Sequence, residues 1–112
     1  MMNEVSEMNN VSINKGYYGW TAESEVELGG NRLIRFTTMK RSSGKLITSA
    51  QSLQDNGRGA LTFIMFQDFN KCVLSSDPKR VTEKVVLEQH NKALELQNDI
   101  VTEAKSFYGI TS

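Results

Sequence analysis

Residues 16–40, GYYGWTAESEVELGGNRLIRFTTMK, decide the fold. Tyr18, Trp20, Ala22, Val26 and Leu28 recur at even positions while Glu23, Glu25 and Glu27 alternate with them, the pattern of a strand with one buried and one wet face. Gly29, Gly30 and Asn31 tolerate positive φ and reverse the chain into residues 32–40. A three-residue loop would set Leu28 opposite Arg32, Val26 opposite Ile34, Ser24 opposite Phe36 and Glu25 opposite Arg35. Opposite charges then meet on one face and apolar groups on the other, which is what fixes register in an antiparallel pair. The stretch predicts a hairpin with strands over 17–28 and 32–40.

Moving outward, Arg41, Ser42, Ser43 and Gly44 mark a turn into a Ser- and Thr-rich third strand, 45–53, and Asp55 to Gly59 mark another. A fourth strand is expected over 60–69. It places Leu61, Phe63 and Met65 on one face and Ile64 and Phe66 on the other, so both faces need cover. Asp77 before Pro78 is a helix start, since a carboxylate accepts first-turn amides and proline suits the first helical position. Neither Gly nor Pro follows until Gly109, the expected C-terminal cap, so one helix is expected over 78–108. Such a helix would be roughly 45 Å long against strands of about 30 to 34 Å, overshooting its sheet. Residues 1–15, rich in Asn, Ser and Glu, read as a flexible tail. The expected class is α+β: a four-stranded antiparallel meander followed by one long C-terminal helix.

The 112 residues suit one domain, and thirteen basic residues offset thirteen acidic ones, so no overall field draws the chain to nucleic acid or an anionic membrane. One cysteine and one histidine cannot make an internal disulfide or a closed structural zinc site. No signal-peptide core and no run of roughly 18 apolar residues is present. A soluble cytoplasmic protein is the expectation, with no membrane segment and no cofactor.

His90 and Gln97 fall one heptad apart on the apolar stripe of the helix, either as register-fixing polar insertions or as half-exposed residues at its edge. The second is the preferred reading. Cys72 reads as a buried packing residue rather than a thiolate activated by Lys71. Glu23, Glu25 and Glu27 read as an ion-paired wet face, and the glycine pairs 29–30 and 57 and 59 lie in hairpin turns rather than in phosphate loops. No catalytic, cofactor or metal site is expected, and the chain is read as a non-enzymatic interaction module, a homodimer of unknown process. Its interface would be the stripe Val86, His90, Leu94, Gln97, Val101, Ala104 and Tyr108 together with Ile64 and Phe66.

The alternative is single-stranded nucleic-acid binding, with Arg32, Arg35, Lys40, Arg41, Lys45 and Arg58 meeting phosphate on a sheet that also carries Phe63, Tyr17 or Trp20. The order of elements, four antiparallel strands and then a helix, resembles the Whirly and positive-cofactor-four single-stranded DNA binders. That resemblance is one of topology and implies binding through the sheet. No residue motif of those families is matched, and the zero net charge departs from what they lead one to expect.

Overall fold

The structure, a computed structural model, describes residues 11–17, 19–55, 63–64 and 69–110. Its elements are β1 (Ser12–Gly16), β2 (Gly19–Gly29), β3 (Arg32–Lys40), β4 (Leu46–Asp55), β5 (Phe63–Ile64), β6 (Asn70–Ser76), α1 (Glu83–Leu94) and α2 (Gln97–Tyr108). The strands form one antiparallel sheet in which β1 to β4 are neighbours in chain order, while β5 and β6 share the far edge of β4. β6 takes residues 46–51 of that edge and the two-residue β5 takes 54–55. The class is α+β.

The central hairpin keeps three of the four expected pairs: Val26 with Ile34, Ser24 with Phe36, and Glu25 with Arg35. Arg32 pairs with Gly29 instead of Leu28, because the register shifts between Glu27 and Gly29. The loop is therefore two residues long, with Gly30 at φ 63° and Asn31 at φ 64°, the positive dihedrals that suit a tight hairpin turn to the twist of its strands. The extra residue sits before the turn as a bulge, and Leu28 still points into the core.

Two further expectations are corrected, and a third falls largely outside the described residues. Residues 12–16, expected in the tail, form an edge strand paired along β2 from Ser12–Glu23 to Gly16–Gly19. Backbone pairing holds this segment while Ile13 packs on the cluster of Ala22, Leu46 and Val86. Residues 1–10 lie outside the described part. Most of the expected fourth strand, 60–69, also lies outside it, and the neighbour along most of β4 is β6.

The single long helix is two. α1 is capped by Thr82, whose hydroxyl accepts from the Val85 amide, so residues 77–82 form a loop and Asp77 is not the cap. At the end of α1 the amides of Glu95 and Leu96 turn back to the carbonyls of Lys92 and Ala93, tightened bonds that close the helix before Leu96 starts the next. Each helix of 12 residues is about 18 Å long, so the overshoot disappears. The bend lets both apolar faces lie on one twisted sheet face: Val86 on Ala22 and Leu46, and Leu94, Ile100 and Ala104 on Leu28, Ile34, Phe36 and Ala50. α2 ends where expected, at Gly109 with φ 68°.

Candidate functional site

Strand alternation brings Ser24, Thr38 and Thr48 to the helix-facing side of β2, β3 and β4, among largely apolar positions. α1 sets His90 and Gln89 over them. His90 is fully buried, its Nε2 lying 2.9 Å from Ser24 Oγ and its Nδ1 2.8 Å from Thr38 Oγ1. Thr38 Oγ1 is in turn 2.6 Å from Thr48 Oγ1. The Gln89 amide donates to the Leu46 carbonyl at 2.9 Å and to Thr48 Oγ1 at 3.2 Å, and its carbonyl accepts from the Ser76 hydroxyl. The result is a closed polar seam that ties one helix to four strands.

One polarity suits the seam best. Gln89 donates to Thr48, Thr48 to Thr38, Thr38 to Nδ1, and Nε2–H to Ser24. The opposite direction would leave the last hydroxyl hydrogen on Thr48, which is fully buried, rather than on Ser24, which retains 5% exposure. Burial removes the imidazolium's hydration and lowers the His90 pKa from 6.5 to about 4, so the ring is neutral at neutral pH. Glu23, Glu25 and Arg35 on the strands lie on the opposite sheet face and Lys84, Glu88 and Lys92 on the outer side of α1, while Arg32 of β3, on the helix side, is held over the Tyr108 ring. A general base needs a nitrogen that can reach a substrate. This ring offers none.

A second polar contact lies nearer the other end of the sheet. Tyr108 hydrogen-bonds Ser52 through its hydroxyl and carries the Arg32 guanidinium 3.8 Å above its ring centroid. Arg32 Nη1 is buried there without a hydrogen-bond partner, so the aromatic face is its main compensation.

Of the expected interface residues, Val86, His90, Leu94 and Ala104 are buried against the chain's own sheet. Val101 and Tyr108 pack partly on the same core, and Gln97 is half-buried. Most of that stripe is therefore taken up by the chain's own core. Ile64 contributes its backbone to β5, and Phe66 lies outside the described residues. The reading of His90 as a half-exposed edge residue is overturned, because it is fully buried with two strand hydroxyls bonded to its nitrogens; Gln97 fits that reading. Cys72, expected to be buried, is exposed: a register shift in β6 sets it opposite Ser49, on the face away from the helices.

The basic set does not form one surface. Arg35 makes a 2.7 Å ion pair with Glu25, Arg32 stacks on Tyr108, and Arg58 lies outside the described residues. Lys40, Arg41 and Lys45 do come together at the β3–β4 turn, beside a surface depression of about 620 Å³ lined by Met39, Lys40, Arg41 and Ser42. Among the described residues no three His, Cys, Asp or Glu side chains converge as a metal site, and no helix is long and apolar enough to cross a membrane. Comparison with protein-family models, curated proteins and solved structures finds no match.

Proposed function

We propose that the chain is a non-catalytic interaction module, in which helices brace one sheet face and the opposite face and strand ends meet a partner. The observation that carries this reading is the state of His90, whose two nitrogens are both engaged by strand hydroxyls in a closed interior. A histidine so placed holds a helix in position and has no access to a substrate. As the chain's single histidine, it can be followed alone by proton NMR. Ring signals that titrate well below 6.5 support the reading; titration at the ordinary value, or fast carbethoxylation of the native protein, would open the ring to chemistry and defeat it.

Self-association favours the sheet face away from the helices over the helical stripe. Leu33, Met39 and Ile47 lie partly exposed on that face, with Met39 paired to Ile47. A two-fold pair would set this patch on itself. Sedimentation equilibrium decides: a dimer lost on Ile47→Lys supports the homodimer, whereas a monomer at high micromolar concentration leaves a different partner. The exposed, unpaired thiol of Cys72 fits a reducing cytoplasm.

A further inference from the structure

The strand registers collect charge that the sequence total conceals. Lys15 pairs with Trp20, the next β2 residue Thr21 with Met39, Lys40 with Leu46, and Leu46 with Ser76. The β1–β2 turn, the β3–β4 turn and the loop from β6 into α1 therefore share one end of the sheet, where Trp20, Val81 and Val85 pack on the same cluster. Lys15, Lys40, Arg41, Lys45, Lys79 and Arg80 stand there, all exposed. Among the described residues none of the six is ion-paired. Asp77 opposes them, and Glu83 and Lys84 in the first turn of α1 cancel. Six minus one leaves +5 among the described residues at this end, in a chain whose charges sum to zero.

Aromatic surface lies in the same place. Tyr17 in the β1–β2 turn is 94% exposed, and Trp20 is partly exposed with Lys15 Nζ 5.6 Å from its ring centroid. The other exposed large apolar side chains among the described residues, Leu96 and Phe107, belong to the helix layer. Concentrated cations beside an exposed aromatic side chain are the means by which phosphate backbones are held and unpaired bases stacked. We propose that this end of the sheet binds single-stranded nucleic acid, its phosphates meeting the six cations and a base stacking on Tyr17. The assignment rests on the interaction-module reading and gives it a partner; it uses strand ends instead of the sheet face.

The test titrates a labelled oligothymidylate into the full chain at low ionic strength, following anisotropy and the fluorescence of the single tryptophan. Binding should weaken steeply with salt. Joint reversal of Lys40, Arg41 and Lys45 to Glu should lower the log–log salt slope by about 2, since each phosphate engaged on a single strand contributes roughly 0.7. Tyr17→Ala should cost roughly five- to a hundredfold in affinity with the slope unchanged. Should the triple variant fail to fold, Lys79→Glu with Arg80→Glu serves in its place. Absence of binding at low salt, a charge-reversed variant that binds as well as the parent, tighter binding to a duplex of equal length, or capture by phosphatidylserine vesicles alone each overturns the assignment. The His90 titration is unaffected by any of these outcomes, so failure of the partner and failure of the module are told apart.

Discussion

α1 and α2 lie on the same sheet face through opposite chemistries. Under most of α2 and the last turn of α1 the contact is hydrocarbon, Leu94, Ile100 and Ala104 against Leu28, Ile34, Phe36 and Ala50, with the Tyr108–Ser52 hydrogen bond and Arg32 confined to the end of α2. Under the middle of α1 it is a chain of hydrogen bonds from Gln89 and His90 to Thr48, Thr38 and Ser24. Apolar burial is proportional to area and indifferent to direction, so it supplies stability without dictating rotation or height. Hydrogen bonds exchanged with water contribute little net, yet an unmade buried one is costly. The comparison teaches that the hydrocarbon half holds the helices down, while the polar half dictates where α1 sits.

Breaking the hydrocarbon half should have the largest effect. Phe36 is fully buried at its centre, and Phe36→Ala should cost about 3–5 kcal/mol in urea unfolding, as large-to-small changes in packed cores do. The next largest effect comes from acid, and it singles out the polar half. The folded pKa of His90 is depressed, so the unfolded chain binds the proton first. Stability from the neutral ring is complete above the unfolded value of 6.5, declines as pH falls toward 4, and is absent below that. That depression corresponds to a full loss on the order of 3 kcal/mol. Urea midpoints measured between those limits should fall for the parent and stay flat for His90→Gln once its own lower baseline is subtracted. Parallel curves would mean that His90 is not held neutral.

The two halves were unequally legible in the sequence. The hydrocarbon half announced itself, because Val26, Ile34 and Phe36 alternate with charges that also pair, and two independent patterns selected one register. The bulge at Leu28 was hidden, since Gly29, Gly30 and Asn31 permit either a two- or a three-residue loop. Nor does any breaker mark the gap at Glu95 and Leu96; two residues of good helix propensity leave the helix there because both apolar faces fall on one twisted sheet. β1 carries one inward apolar residue, Ile13, too few to register as a pattern. The polar seam left a trace in Ser24, Thr38 and Thr48 at inward positions, but its meaning depends on which helix residue meets them, and that is a tertiary fact. Only half of the basic end, Lys40, Arg41 and Lys45, was legible; Lys15, Lys79 and Arg80 were not, for a related reason: residues from 15 to 80 contribute to it, and only strand register aligns them.

The smallest of these effects is the one that tests the role assigned to the seam. Thr38 is its middle link, bonded to both His90 and Thr48, and Thr38→Val keeps the shape while deleting the hydroxyl. His90 Nδ1 and the Thr48 hydroxyl are then left short of a partner, at a cost of about 1–3 kcal/mol. Adding His90→Leu removes one of the stranded groups, so the double variant should lose less than the sum of the single losses; additive losses would show that the two residues act independently. If the seam sets position rather than stability, the recovered double variant should still show exchange-broadened amide signals along α1, while those of α2, clamped by hydrocarbon, stay sharp. Sharp signals along both helices would mean that hydrocarbon alone suffices to place α1, and the distinction between the two halves would be one of composition only.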